Sequence, residues 1–467
     1  MSAKRFSLVD VVLSVICVVF TIEAVAPASA MGNVQFFWWG VLIVTFLLPY
    51  GMVVAELGST FDSEGGLYDW VRSGLGDAWG SRCAWYYWVN FPLWIASVAC
   101  IFPSVLAGVW GVALPLWARI AVELVFVWGV TWAACSPVSD ADWILNGGAV
   151  IKVFITLVVG GVGVWFAAEN GFANPMGPET FLPDLANPDS LTYLSIILFN
   201  FMGFEVVATF AGSMDNPRRD IPVAIVVGGV TIAAVYILCG VGIGAAVPTE
   251  ALNLDSGIVD AVTAMVGASS PLVWVVGAAF LVTLFANMVS WSFGINSVAC
   301  RAAEDGNMPR PFAMRSATTS MPNGSALMTG AVASLVLLLQ VPLGEDSEVF
   351  WVFFSMNVVF LLLSYLPMFP AFARLRRTDP TERVFRAPFG GRALTAVLAA
   401  PMAEIVLAVA ATVVPLGPGP DEAAKAPLLV GTAVLLAAGE AVRVACRRGA
   451  SPGRAAGTGP GAPAPGV

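Results

Sequence analysis

Apolar stretches of about 20 residues recur along the whole chain, and this recurrence constrains the fold more than any other feature. A helix needs about that length to cross a bilayer, and in lipid every backbone polar group must find its partner inside the protein. The pattern predicts an all-α integral membrane protein with twelve transmembrane helices. The predicted spans lie near residues 8–30, 35–58, 82–108, 113–134, 144–167, 190–213, 221–247, 271–302, 325–342, 349–373, 393–415 and 426–445.

The composition disfavours an enzyme. The chain is 58% hydrophobic and 11% charged, whereas soluble proteins carry about 25% charged residues. It contains no histidine, which removes imidazole metal ligands and histidine proton relays. Its cysteines are scattered without CxxC spacing. We therefore expect no catalytic residues, no metal site, no cofactor and no nucleic-acid partner.

The basic residues are unevenly divided between the two sides of the predicted membrane. With the N-terminus inside, every lysine and arginine except Arg119, Lys152 and Lys425 falls in a cytoplasmic segment, and the opposite loops carry mainly acids. Cytoplasmic loops are enriched in Lys and Arg. The distribution predicts a multi-pass protein of the plasma (inner) membrane with both termini cytoplasmic. Residues 1–7 would form the N-terminus, and the Gly-, Ala- and Pro-rich residues 446–467 a disordered tail.

The stretch FNFMGFEVV, residues 199–207, places polar and flexible residues inside the sixth predicted span. Gly203 lowers helix stability by about 1 kcal/mol relative to alanine, and Glu205 at membrane depth costs at least a few kcal/mol unless neutral, paired or hydrated. A break at residues 201–204 would relieve both problems and expose backbone groups to a cavity. Alternatively, Gly203 permits close helix packing and Glu205 caps the second half-helix.

The stretch FTIEAVAPASAMG, residues 20–32, predicts a second break in the first span. Glu23 sits mid-span, and Pro27 removes a backbone donor and disfavours helix at the residue before it. Because this span lies five spans before the sixth, the pair matches the layout of an inverted-repeat transporter, which holds substrate between broken helices. The alternative is a proline-kinked helix with a structurally paired Glu23.

Lys152, in LNGGAVIKVFITLVVGG, lies about two turns inside the fifth predicted span, roughly 12 Å from its cytoplasmic end. A lysine at that depth can lose its proton more readily than one in water and can therefore carry protons. It can also form a permanent ion pair, for example with Glu23. The sequence leaves both interpretations open.

Four motifs resemble the amino acid permease branch of the amino acid-polyamine-organocation transporter superfamily. FNFMGFEVVATFAGSMDNPRRDIPVAI, residues 199–225, is similar to that branch's sixth span with its Gly-Phe-Glu break and Asn-Pro-Arg/Lys turn. The family's loops after the second and eighth spans and before the eleventh are matched by AELGSTFDSEGGLYDWVRSGLG, RAAEDGNMPRPFA and RLRRTDPTERVFRAPFGG. The resemblance covers residues 8–445.

This resemblance implies a leucine-transporter-type fold, with a first five-helix repeat at residues 8–167, an inverted second repeat at 190–373 and peripheral helices 11 and 12 at 393–445. It implies that Lys152 stands where sodium-coupled relatives bind an ion, and that Phe201 or Phe204 is an aromatic gate. The substrate-binding residues that it implies, at the two breaks, are Thr21, Ile22, Glu23, Ala24, Asn200, Phe201, Met202, Gly203, Phe204 and Glu205.

One position departs from the family pattern. The family's first break reads Gly-Ser-Gly-Ile-Phe, whereas residues 20–24 here read Phe-Thr-Ile-Glu-Ala. Side chains there hinder close approach of a carboxylate to the backbone, and a negative Glu23 repels it. Either Glu23 faces away and pairs with Lys152, or the substrate carries extra positive charge or is a decarboxylated amine.

The function expected from these features is secondary active transport of amino acids by alternating access, coupled to protons through Lys152. One alternative is an amino acid/amine antiporter, including polyamines. A further alternative is a non-transporting ligand sensor, although no signalling domain is recognisable. The expected partners are a small-molecule amino acid or amine, protons and the lipid bilayer, and no pattern predicts an oligomeric state.

Overall fold

The computed structural model describes residues 5–61, 63–183, 194–252, 257–339, 341, 348–415 and 425–449, and the regular secondary structure of these residues is helical. The predicted disordered tail lies outside the described residues from position 450 onward. The α-helices are α1 Leu8–Val19, α2 Val25–Ser29, α3 Val34–Leu42, α4 Leu48–Thr60, α5 Gly66–Leu75, α6 Asp77–Trp110, α7 Leu116–Ala134, α8 Asp142–Asn170, α9 Leu194–Phe199, α10 Pro217–Ala246, α11 Gly257–Val266, α12 Pro271–Glu304, α13 Asn323–Leu338, α14 Glu348–Tyr365, α15 Met368–Thr378, α16 Gly391–Val413 and α17 Ala426–Gly449.

The predicted all-α membrane architecture is confirmed. Within the described ranges, ten helical segments are long and apolar enough to cross a bilayer, and the bent pair formed by α1 and α2 makes an eleventh candidate. The helix α13, with 16 residues, occupies the place of the ninth predicted span. The division into two five-helix repeats stays a prediction.

The first span is broken between α1 and α2. Ser7 and Asp10 form a capping box at the start of α1, and the helix ends at Val19. Phe20 and Thr21 are extended, residues 22–24 form one 3₁₀ turn, and the chain bends by 42° before α2. The break precedes Pro27, as expected for a proline that disfavours helix on its N-terminal side.

The sixth span is broken at its centre. The helix α9 ends at Phe199, and a 3₁₀ helix begins at Phe204. Gly203 between them has a φ of 116°, which favours glycine, and an added Cβ would lie 2.7 Å from the Trp291 ring. Glycine is therefore required by both conformation and space, and the prediction of discontinuous first and sixth spans is confirmed.

Small residues let the fifth and seventh predicted spans touch. An added Cβ at Gly163, on α8, would lie 2.2 Å from the Gly242 carbonyl oxygen on α10, and one at Gly242 would lie 2.3 Å from that of Gly160. Backbone contact of this kind is how membrane helices associate where lipid gives no hydrophobic driving force. It holds α8, which carries Lys152, against α10, which carries Tyr236.

Candidate substrate site

Lys152, on α8, binds the backbone carbonyl groups at the first break. Its side chain is fully buried, and Nζ donates hydrogen bonds to the carbonyl oxygens of Cys17 (2.7 Å) and Phe20 and to Oδ1 of Asn287 (2.7 Å). An ammonium group has three donors, so all of them are used. The described residues contain no ion pair within 4 Å between Lys152 and Glu23, and Lys152 instead caps the carbonyl end of α1.

Tyr236 completes the hydrogen bonding of the unwound residue Thr21. The Tyr236 hydroxyl accepts from the Thr21 amide at 2.9 Å and donates to the Thr21 carbonyl at 3.0 Å. Its ring stacks on Trp39 at 4.9 Å and meets the edge of Phe20 at 4.6 Å. The Thr21 amide, one of the backbone groups that a substrate carboxylate at the first break would approach, is thus occupied by a protein hydroxyl.

Glu23 is buried but makes no hydrogen bond. It is 5% exposed, and neither carboxylate oxygen accepts a hydrogen bond from a described residue. The charge of Lys152 and the side-chain donors of Trp94 and Asn287 act on the carboxylate, although the indole N–H of Trp94 and the amide Nδ2 of Asn287 also lack a partner within hydrogen-bond distance. Burying a carboxylate without hydrogen bonds costs several kcal/mol. A ligand that donates hydrogen bonds to Glu23 would remove this cost.

Tyr50 binds the backbone at the break of the sixth span, as Tyr236 does at the break of the first span. Its hydroxyl accepts from the amides of Gly203 and Phe204, each at 3.2 Å, and donates to Glu205 at 2.5 Å. Tyr87 donates to the other oxygen of Glu205 at 2.6 Å. Glu205 therefore has protein partners on both oxygens, and the amides of Gly203 and Phe204 are occupied.

Unused hydrogen-bonding groups remain on the other side of the sixth break. The carbonyl oxygens of Asn200, Phe201 and Met202 accept no hydrogen bond from a described residue. The Asn200 side chain is fully buried, and neither its Oδ1 nor its Nδ2 has a partner among the described residues. The free groups here are mainly acceptors.

Aromatic rings join the two breaks. The Trp291 indole donates to the Val18 carbonyl at 2.8 Å, and the same ring abuts Gly203. Trp94 packs edge-on against Trp291 at 5.1 Å and against Phe199 at 5.0 Å. The two breaks thus lie close together, with Trp291 and Trp94 packed between them.

The remaining residues assigned from the sequence are buried in the same core. Ile22, Ala24 and Met202 have at most 1% exposure. Phe201 packs on Trp39 at 5.1 Å, and Phe204 packs on Tyr50 at 5.9 Å. In this conformation both candidate gate rings are therefore packed inside the protein.

Several residues that shape the site were not singled out from the sequence. They are Tyr50, Tyr87, Trp94, Tyr236, Asn287 and Trp291. Each is a polar or amphipathic residue within an apolar stretch, which is a usable signal because such groups need a partner in the membrane. Their partners, however, lie up to 273 positions away along the chain.

A network of charges closes the face on which α5 meets the end of α12. The Asp305 carboxylate accepts from Arg72 at 2.7 Å and from the Tyr68 hydroxyl at 3.1 Å, and Asn307 donates to Tyr68 at 2.8 Å. Burial raises the pKa of Tyr68 above its usual range, so the phenol stays a donor. Nearby, Arg315 donates a hydrogen bond to the Glu304 carboxylate at 2.6 Å, and this bond raises the pKa of Arg315 above its usual range.

Comparison with known proteins places these features among transporters. The family model for amino acid permeases matches residues 6–438. A probable agmatine/putrescine antiporter of Lactococcus lactis subsp. lactis is 45% identical over 446 residues, which cover 94% of each chain. A glutamate/gamma-aminobutyrate antiporter of the same organism is 23% identical, over 73% of this chain and 70% of its own.

One further relative and one solved structure extend the comparison. A probable polyamine transporter of Arabidopsis thaliana is 26% identical, over 75% of this chain and 68% of its own. Among solved structures, MhsT in complex with L-phenylalanine superposes with a TM-score of 0.57 at 16% identity, covering 87% of this chain and 99% of that one. This likeness confirms the leucine-transporter-type fold.

Proposed function

The chain belongs to the amino acid permease family, a family of membrane transporters, and we propose that it exchanges cationic amines of the agmatine and putrescine class by alternating access. The observation that carries this proposal is Glu23, a buried carboxylate without hydrogen bonds at the first break. A substrate ammonium or guanidinium group would supply the missing donors. The relative at 45% identity bears a name of the same substrate class.

The occupied amides support an amine over an ordinary amino acid. A substrate carboxylate needs free N–H donors at the broken helices. The Thr21 amide already donates to Tyr236, and the Gly203 and Phe204 amides donate to Tyr50. The free carbonyl groups at Asn200, Phe201 and Met202 suit a second cationic end. Hydrogen bonds to charged groups contribute about 1.5–3 kcal/mol each, which favours a doubly basic substrate.

Trp94 adds a recognition surface for such a cation. Its indole interacts with Glu23 and packs against Trp291. A cation over a tryptophan face gains about 2 kcal/mol when desolvated. We propose that substrate contacts come from Glu23, Trp94 and the break residues Thr21, Ile22, Ala24, Asn200, Phe201, Met202, Gly203 and Phe204. Glu205, bound by two tyrosines, would position the sixth break.

The buried charge also favours exchange over net uptake. When the site is empty, Glu23 passes through the reorientation buried, with the charge of Lys152 nearby but with no hydrogen-bond donor, and an incompletely compensated buried ion costs several kcal/mol. A loaded site avoids that cost. The protein therefore changes readily between its inward-open and outward-open states only when a cation is bound. A carrier with this property is an antiporter.

Proton coupling through Lys152 is the second candidate. The observation that favours it is the location of the ammonium group, which donates to the Cys17 carbonyl of α1 and to Asn287, so that loss of its proton would weaken the hydrogen bonds at the first break. We propose as well that both termini face the cytoplasm, since the basic residues cluster on that side. Both proposals can be tested independently of the substrate.

The exchange proposal is tested by uptake of radiolabelled agmatine into proteoliposomes. Vesicles preloaded with putrescine should accumulate label, and empty or leucine-loaded vesicles should stay near background. Equal uptake into empty vesicles would overturn exchange, and exchange of leucine in place of amines would overturn the substrate class. Saturable agmatine binding without flux under any condition would indicate a sensor.

A further inference from the structure

A basic cavity of about 480 Å³ lies between α15 and the start of α16, remote from the substrate site. Three arginines line it, Arg376, Arg377 and Arg386, together with residues 387–391, Ala373 and Leu394. Its described lining contains no acidic side chain. The cavity therefore has a positive interior at the point where α16 enters the apolar region.

Arg376 builds the wall of this cavity. Its guanidinium donates to the carbonyl oxygens of Phe389 and Ala387, each at 2.7 Å, and lies 3.5 Å from the buried Glu56 carboxylate of α4. Glu56 also accepts from the Ala387 amide at 2.8 Å. The charge of Arg376 is thus balanced, and the loop that it supports is fixed.

Arg377 and Arg386 are the unbalanced charges. Both are exposed, and neither has an ion-pair or hydrogen-bond partner among the described residues. Together they leave two positive charges facing one cavity. Such a pair binds an anion better than isolated surface arginines do, because a phosphate can contact both guanidinium groups at once.

The start of α16 adds backbone donors to the same cavity. The helix begins at Gly391, whose φ of 57° favours glycine, and no side chain caps its first turn. Free N–H groups at a helix N-terminus attract anions. Leu394 and Phe389 provide apolar surface beside these donors, which suits a phosphate attached to a hydrocarbon chain.

We propose that this cavity binds the phosphate of an anionic glycerophospholipid. Free phosphate shares the charge chemistry but gains nothing from Leu394 and Phe389, whereas a lipid places its headgroup on the arginines and its chains along α16. Basic pockets at the membrane surface recognise anionic headgroups in this way. The proposal is independent of what the protein transports.

The test is thermal unfolding of the purified full-length protein in micelles with added phosphatidylglycerol, phosphatidylcholine or inorganic phosphate. Phosphatidylglycerol should raise Tm by several degrees, and the other two additives should not. Arg377→Gln/Arg386→Gln should weaken the apparent affinity roughly tenfold or more, and Arg377→Lys/Arg386→Lys should retain most of it. The matched control, Arg218→Gln/Arg219→Gln, removes two exposed arginines at the start of α10 and should bind like the parent.

Three results would overturn the proposal. The first is an unchanged phosphatidylglycerol response in the double glutamine variant. The second is an equal loss in the Arg218/Arg219 control, which would indicate general surface charge. The third is full reproduction of the effect by inorganic phosphate, which would assign the cavity to a free anion.

Discussion

Tyr50 and Tyr236 occupy corresponding places relative to the two broken spans. Each lies on the helix that follows a broken span, and each binds the backbone of the other broken span through its hydroxyl. Tyr236 contacts Thr21 at 2.9 and 3.0 Å, and Tyr50 contacts Gly203 and Phe204 at 3.2 Å. Each broken span is thus bound by a tyrosine from the helix that follows the other broken span, which is the symmetry that an inverted repeat would produce.

Removing either hydroxyl should destabilise the fold. Tyr50→Phe and Tyr236→Phe each leave buried backbone groups unsatisfied, which costs about 1–3 kcal/mol. The matched control is Tyr86→Phe, because the half-buried Tyr86 ring packs 5.9 Å from that of Phe360 and its hydroxyl makes no hydrogen bond with a described residue. Thermal unfolding should show a lowered Tm for the first two variants only, and equal effects in all three would contradict the assigned roles.

Lys152→Met should destabilise the first break strongly. The change strips a charged donor from two carbonyls and Asn287, and we expect a loss of at least about 3 kcal/mol. Lys425→Met serves as control, since Lys425 donates to the Ala411 carbonyl at the edge of the bundle. Unfolding of the two variants in the same detergent is the measurement, and equal stability would refute the capping role of Lys152.

Lys152→Arg separates a proton carrier from a permanent cation. Arginine keeps its proton at every accessible pH, so the variant should retain amine exchange while its response to an imposed pH gradient disappears. The measurement is agmatine uptake into proteoliposomes with and without the gradient, alongside Lys152→Ala. Undiminished dependence on the gradient in both variants would rule out proton exchange at this residue.

Asp305→Asn should loosen the charge network between α5 and α12. The carboxylate accepts from Arg72 and Tyr68 and lies 3.4 Å from Arg301, so its neutral replacement removes the common acceptor. Cys300, buried on α12 beside this network, should then react with maleimide severalfold faster. Labelling of the half-buried Cys446 is the internal reference, and parallel acceleration of both thiols would point to general unfolding.

The breaks were predictable because their causes are local. Pro27 disfavours helix before it, and Gly203 adopts a conformation that other residues avoid. The depth of Lys152 was likewise visible from its position in an apolar run. The apolar stretches and the residues that interrupt them therefore predicted the membrane-spanning fold and the two broken spans.

The partners of these residues were not predictable, because they depend on the register of distant helices. Nothing near Thr21 indicates that Tyr236 occupies its amide, and nothing near Glu205 indicates that Tyr50 and Tyr87 take its oxygens. An ion pair between Lys152 and Glu23 was reasonable from charge alone. The observed lysine instead reaches carbonyl groups that the break leaves free.

Recognition of the substrate cation by Glu23 is tested by agmatine binding to the purified Glu23→Gln variant, measured by calorimetry. Loss of a charge-assisted hydrogen bond of about 1.5–3 kcal/mol should weaken Kd roughly 10- to 150-fold. Glu404→Gln, which neutralises a half-buried glutamate on α16 away from the breaks, should bind like the parent. If folded Glu23→Gln binds agmatine within about twofold of the parent, Glu23 does not recognise the substrate cation.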